Sequence, residues 1–564
     1  MIYNNISASS GDVTFKAFKG LNRRIRTEAG EFSDMENLGH EEYPCLESVR
    51  GPQDMGFVLP DDAEAVKMII PKRLDGEVTG FSGVVRQNNR YYMYINGIAK
   101  GDMMTKFTDA VDYNGSLICL PEFHGYAYCV EGKEEYEKNI SPSTLSIPMK
   151  FRNLYDSYNK TETPQIYLSG TGIETVQKRF KAGDLISLSG LTGDYAKNNT
   201  IYPQSSTDYS NTTSPVSIEI KGIGGGASTT ITVELKNCLG ETIIWPTGYS
   251  DSTQEPTVGE NGVIKKLVPM GTYACVAHNR VWVCSHTGEE VFCSALGKPL
   301  EFYEFAGVST DSWSASVGTP GKFTGIAAWQ NRVIAFKNDI IHVIYGDLPS
   351  TFGIEKTYAA GCIDSGSIAS VGGMLIWLYY DGFYAYSGGM PKRISHKLAE
   401  KYVSCKAFSD GRRYFARCTK QDGTGEFLIY DAELGIWSKL SDIDIVGGDY
   451  FGGKLYAADK KRVWRLYGGE YGDFFAETPE LTFDSFDDKS IIYANIRCKI
   501  DNGFLNLYTS TNNGEWVSHK GISTSGKHRL PIRYAPGDVI RIRLEGSGKV
   551  CIEEMKLEML IKKR

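Results

Sequence analysis

A short phrase recurs through this chain and limits what it can fold into: an apolar strand, a turn built from Asn, Gly or Asp, and a second apolar strand. It reads Ala274-Cys275-Val276-Ala277-His278-Asn279-Arg280-Val281-Trp282-Val283-Cys284 in one place and Gly325-Ile326-Ala327-Ala328-Trp329-Gln330-Asn331-Arg332-Val333-Ile334-Ala335-Phe336 in another. Related copies lie at 83–94, 110–119, 369–377, 407–415 and 448–456. Asn, Asp and Gly tolerate the positive φ that tight hairpins need. Many copies add a second hairpin, such as Asp381-Gly382-Phe383-Tyr384-Ala385-Tyr386. From Gly325 onward the copies return roughly every forty residues, the period of four-stranded propeller blades. A lone hairpin exposes its edges, whereas a closed ring of blades protects them. The expected fold is all-β: a β-propeller of six to seven blades with an inserted β-domain and a C-terminal β-sandwich.

At 564 residues the chain exceeds one ordinary core, so several domains are expected. Residues 1–60 show few strand patterns and read as an extended N-terminal arm that must lie on another surface, most simply its own propeller. The first blades occupy 61–144. Between 145 and 270 the rhythm breaks into Ser, Thr, Asn and Gly clusters around alternating segments such as Thr230-Ile231-Thr232-Val233-Glu234-Leu235, which predicts an inserted sandwich- or barrel-like domain. The remaining blades follow over 271–478. Six short strand patterns then fill 479–564 and predict a compact jelly-roll-like β-sandwich.

Charge and cysteine usage narrow the surroundings. A net charge of −7 argues against bulk attraction to nucleic acid or anionic membranes, and suits a wall past which DNA slides without sticking. The 12 Cys are scattered singly with no CxxC pair, which disfavours a zinc cluster and fits reduced thiols in a reducing cytoplasm. No signal peptide is expected from Met1-Ile2-Tyr3-Asn4-Asn5, and the apolar run from Met374 to Tyr380 is too short to span a bilayer.

Signatures of chemistry are few. The sequence has no phosphate-binding glycine loop, no HExxH and no GxSxG. His278 and His286 share a hairpin without a ligand spacing, and no cofactor or metal is expected. The acidic clusters Asp442, Asp444, Asp449 and Asp484, Asp487, Asp488 lack a spacing that sets an acid and a base across a sugar. The phrase Ser510-Thr511-Asn512-Asn513-Gly514-Glu515-Trp516 resembles the Asp-box of sialidase propellers. It carries Asn512 in place of Asp, is one residue short, and occurs once, so it reads as an Asn-Gly hairpin.

A family likeness enters at the arm. Phe18-Lys19-Gly20-Leu21-Asn22, Gly30-Glu31-Phe32-Ser33-Asp34-Met35-Glu36-Asn37-Leu38, Tyr43-Pro44-Cys45-Leu46 and Arg50-Gly51 resemble the opening of phage structural proteins often labelled stabilisation proteins. These are similar to the hub or nozzle proteins of short-tailed bacteriophages. The resemblance implies a non-enzymatic virion tail protein, assembled in the host cytoplasm. It implies a homo-oligomeric ring, a hexamer, around the DNA exit channel, with DNA only as passing cargo. Neighbouring adaptor proteins and fibres would be its partners, and no membrane is involved. The arm residues expected to make subunit contacts are Leu21, Arg24, Phe32, Leu38 and Tyr43. The 145–270 insertion departs from the family pattern. Two alternatives remain: a carbohydrate-binding or carbohydrate-cleaving propeller, for which surface Tyr and Trp would stack on sugars, and a generic protein-interaction propeller.

Overall fold

A computed structural model describes residues 8–562 except 26, 69–81, 96, 103–106, 123–126, 131–132, 137–143, 169–170, 201–211, 226–227, 249–260, 359, 484 and 533–535. The chain is nearly all-β in a β-propeller arrangement, with seven four-stranded antiparallel sheets among the described residues. The turn chemistry expected from the sequence is in place. Asn88-Asn89, Asn114-Gly115, His278-Asn279, Gly372-Gly373 and Gly452-Gly453 all have positive φ at both positions, as two-residue hairpins with the strands' own twist require. No helix of the described residues is long and apolar enough to cross a membrane.

The chain divides into two compact units, Met1–Phe57 with Gly366–Arg564, and Val58–Ser365. The second unit carries the sheets at 63–102, 107–136, 271–316 and 325–357. Neighbouring sheets in it meet through their first strands, Phe107–Tyr113 on Gly271–Ala277 and Gly271–Ala277 on Gly325–Trp329. The cores lie between successive sheets, as propeller blades pack face to face. Met93 and Cys119 share one such layer, Ile118 and Val283 the next, Trp282 and Val333 a third.

The insertion is a closed barrel. Strand Thr144–Asp156 pairs with Thr161–Leu168 on one side and Asn261–Lys266 on the other. The order continues through Leu185–Ser189, Ser217–Gly225 and Thr229–Lys236, and this last strand pairs back onto Thr161–Leu168. Closure leaves the barrel wall without a free edge. Alternation along Thr229–Lys236 sends Ile231, Val233 and Leu235 inward, where they join Phe151, Ile166 and Trp245. The barrel is fixed to the 271–316 sheet by Lys181–Glu290 at 2.5 Å and His286–Glu219 at 3.2 Å, while Lys266, paired with Asp184 at 2.9 Å, sits over the Tyr303 ring.

The first unit holds the sheets at 369–393, 402–440 and 445–466, the last completed by Gln53–Val58 from the N-terminal region. The described residues of the N-terminal arm lie on the chain's own sheets, as separate strands. Ala8–Phe15 pairs with the C-terminal strand, Asp34–Glu36 with Asp473–Glu477, Leu46–Ser48 with Ile540–Lys562, and the arm's end supplies a blade strand. Asp34–Glu36 and Leu46–Ser48, at three residues each, are too short to reveal an alternating pattern. The six short strand patterns of 479–564 also resolve differently. Two long strands, Asp488–Thr511 and Ile540–Lys562, run through four of them. Register shifts at Asp501/Phe504 and elsewhere bend these strands and imitate chain breaks in the sequence.

Candidate functional site

The N-terminal phrase builds a clasp on the first unit. Gly20–Leu21 and Glu31–Phe32 form a short parallel pair, and Phe18 stacks on Phe32 with ring centroids 6.1 Å apart. Gly20 has φ +69, and a Cβ there would stand 2.2 Å from the Trp437 carbonyl oxygen, so only glycine lets the segment lie this close. Between the paired segments the chain leaves as a loop, and polar contacts lock both ends. Arg23 Nη1 and Nη2 donate to Glu426 Oε1 and Oε2 at 3.0 and 2.9 Å. The Tyr402 hydroxyl also donates to Glu426, and Lys420 lies 3.6 Å away. Burial works against the Glu426 carboxylate, but bonding and charge from Arg23, with Tyr402 and Lys420, hold it below the usual range.

The other end is fixed by Glu31, which is buried. It accepts from Asn22 Nδ2 at 2.6 Å and from the Glu28 amide at 2.7 Å, and pairs with Lys397 at 3.0 Å. Asn22 Oδ1 in turn accepts from the amide and Nε of Arg24 at 3.2 and 3.0 Å. These bonds fix the described residues on either side of the loop's tip. At its tip Ile25 is fully exposed, at 101%. Arg26 lies outside the described residues.

The five expected contact residues separate into two groups. Leu21, Phe32 and Leu38 are buried at 0–1% within the chain's own unit and hold the clasp down. Arg24 and Tyr43 are exposed. Sequence reasoning passed over Ile25, although an isoleucine set among three arginines in a segment with no strand pattern was the available signal.

Two carboxylates of the first acidic cluster are taken up in ion pairs. Asp442 and Asp444 pair with Arg417 at 3.2 and 3.5 Å, and Asp444 also with Lys460 at 3.2 Å. The carbonyl of Asp487 accepts from the buried Lys489 ammonium at 2.8 Å. Asp484 lies outside the described residues. A pair not foreseen from sequence is Glu219 and Glu234, directly opposite on adjacent barrel strands and lining, with Glu122, a cleft of about 280 Å³. Lys221 Nζ bridges them at 2.9 and 2.7 Å. Burial pushes Glu219 up, yet His286 and Lys221 leave it below its ordinary value. Hydrogen bonding from Lys221 lowers Glu234 as well. The acid of a glycoside-cleaving carboxyl pair is raised from its ordinary value, whereas both of these are lowered.

His286 is engaged with Glu219 and the Met270 carbonyl, and among the described residues no group of three or more His, Cys, Asp or Glu could hold a metal ion. The Ser510–Trp516 phrase is a hairpin turn, with Asn512 and Asn513 at positive φ. Asn512 Oδ1 accepts from the Asp538 and Val539 amides at 2.9 and 3.1 Å, and Arg541 lies over the Trp516 ring.

No protein-family model matches the chain, and no curated protein matches it. Among solved structures it is similar to an exo-β-1,3-galactanase from Phanerochaete chrysosporium with galactose, at 9% identity and TM-score 0.22, covering 50% of this chain and 94% of that one. It is also similar to KlHsv2 with a loop replaced by a Gly-Ser linker, at 10% identity and TM-score 0.19, covering 59% and 96%. Likenesses this weak decide nothing about activity.

Proposed function

We propose that this chain is a structural subunit of a bacteriophage tail, one of a hexameric ring around the DNA exit path, and that it performs no catalysis. The observation that supports this most directly is the Ile25 loop. A fully exposed isoleucine on a loop locked at both ends is a prepared contact, because little conformational entropy is lost when a neighbour covers it. Burying one such side chain contributes about 2 kcal/mol. The residues that resemble the tail-protein phrase are those that form the clasp holding this loop, which gives the resemblance a physical content. Arg24 beside Ile25 would meet an acidic neighbour, in keeping with the net charge of −7.

The test is the oligomeric state of the full chain by mass photometry and negative-stain imaging, with detection of the protein in virions by gel. Rings are expected for the wild type, and Ile25→Asp is expected to shift the population to monomers. Monomers at every concentration, together with absence from virions, would overturn the proposal. Hydrolysis of a glycan by the purified chain would overturn its non-catalytic part.

A further inference from the structure

The outward face of the C-terminal sheet carries a second feature, independent of the clasp. Four strands place Glu36, Phe475, Glu545 and Asn506 in one straight cross-strand row, each opposite the next. The adjacent row brings Asp473, Ser547 and Phe504 together. Alternation puts Met35, Ala476, Leu544 and Leu507 on the buried side, so both rows face outward into a cleft of about 380 Å³. A second cleft of about 460 Å³ shares Glu36 and Asp473 and continues past Arg50, which stacks on Tyr471 at 5.3 Å. Together they make an elongated groove whose sizes suit a ligand of more than one ring.

The chemistry of the groove is mixed in a particular way. Phe475 is covered by cations, with Arg543 at 5.1 Å and Lys439 at 5.5 Å from its ring. Arg543 also holds Glu545 at 2.5 Å. Phe504, by contrast, is 45% exposed, and among the described residues no aromatic or cationic group lies over its ring. Beside it the Asp473 carboxylate and the Asn506 amide have no side-chain partner among the described residues. An open aromatic face flanked by such a carboxylate and amide matches a sugar, whose C–H face stacks while its hydroxyls donate to carboxylate and exchange bonds with an amide. Glu36, Glu470 and Asp473 outnumber the single Arg50 lining the larger cleft, a balance that disfavours sialic or uronic acids.

We propose that this groove binds a neutral oligosaccharide, with Phe504 as the stacking platform and Asp473 and Asn506 as the hydroxyl-reading groups. The full chain would be applied to a printed array of neutral hexose and N-acetylhexosamine oligosaccharides, with sialylated and uronate glycans and an oligolysine peptide alongside. Retention of neutral glycans is expected, with affinity reduced about tenfold in Phe504→Ala and in Asp473→Ala. Binding should be unchanged in Tyr158→Ala, which alters an exposed ring on the barrel. Both groove residues are surface groups, and matching thermal unfolding would show the variants folded, with Asn506→Ala as a third probe. Failure to retain any neutral glycan, binding indifferent to these substitutions, or capture of oligolysine alone would overturn the proposal. Glycan binding by a chain that forms no rings would sink the assembly reading and leave this one standing.

Discussion

Arg23 and Glu426 are 403 residues apart in sequence and meet in a two-pronged contact of 3.0 and 2.9 Å. Their side chains are 18% and 6% exposed. A pair this enclosed adds little net stability over an apolar replacement of the same shape, because both charges are taken out of water. What it supplies is position. Arg23 ties the N-terminal segment to a carboxylate that the Tyr402 hydroxyl and the Lys420 ammonium also approach. The loop that presents Ile25 inherits that placement.

Removing one partner should therefore be far worse than removing both. Glu426→Ala leaves the Arg23 charge with only the more distant Asp34, at 3.8 Å, and is expected to destabilise the first unit by about 2 kcal/mol. The double variant Arg23→Met with Glu426→Met should recover most of the loss. Urea unfolding monitored by tryptophan fluorescence would read both. The folded Glu426 carboxyl titrates below its unfolded value, so its contribution is present above the unfolded pKa of about 4.5 and fades as pH falls through the folded one. Equal losses in the single and double variants would show that the pair is not coupled.

Two buried histidines set a second acid response, at higher pH. His40 is 7% exposed, its Nε2 has no partner among the described residues, and burial pushes it down to about 4, with only Asp431 opposing. His342, fully buried against the Thr319 hydroxyl at 2.9 Å, is likewise pushed down to about 4, by burial first. Both must be neutral in the folded protein, whereas the unfolded chain takes up protons below pH 6.5. Stability should thus decline between about pH 6.5 and 4, by about 2–3 kcal/mol for each histidine. His40→Gln is expected to flatten this slope in a series of unfolding curves, and an unchanged slope would refute the assignment.

The propeller hairpins were legible because their information is local. Asn88-Asn89 and Gly452-Gly453 announce a positive-φ turn within two residues, and flanking β-branched and aromatic residues supply the strands. The barrel strand Thr229–Lys236 was legible for the same reason, since its alternation needs no knowledge of its partner. The clasp was not, because Gly20–Leu21 and Glu31–Phe32 are two residues each and their meaning lies in Trp437 and Glu426, about four hundred positions away. The groove at Phe504 was hidden by another effect. Asn502-Gly503 reads as a turn between strands, and in the fold it is a bend inside one long strand that aims Phe504 outward. Glu36 and Asn506 join one row only after four distant segments pair.

Steric demand at the clasp can be separated from backbone preference by comparing two glycines. Gly20 and Gly453 have similar φ, +69 and +75, but a methyl group added at Gly453 would meet nothing within 4 Å, whereas one at Gly20 would run into the Trp437 carbonyl. Gly453→Ala should cost only the left-handed penalty of about 1 kcal/mol. Gly20→Ala adds a backbone clash and is expected to cost about 3 kcal/mol or to lift the clasp off the blade. Thermal unfolding of both variants, with limited proteolysis near residue 25, checks the difference, and equal shifts would place the clasp elsewhere.

In the second unit, Asp109 joins three successive blades. It pairs with Lys67 of the first strand of one sheet, and its other oxygen accepts the Ala274 amide of a third sheet at 3.0 Å. Its own strand shifts register between Phe107 and Asp109, and the neighbouring first strands shift between Ala65 and Lys67 and between Gly271 and Tyr273. Each bulge frees backbone groups from the ladder and turns the strand, so a carboxylate in the middle one can reach both neighbours. Asp109→Asn would keep one acceptor and lose the charge, at about 1–2 kcal/mol, whereas Asp109→Ala would leave the Ala274 amide and Lys67 unanswered, at about 3 kcal/mol. Hydrogen exchange at Ala274 provides the specific readout. Its protection should fall sharply in Asp109→Ala and modestly in Asp109→Asn, and unaltered protection in both would mean that the bulged strands, and not the carboxylate, hold the blades together.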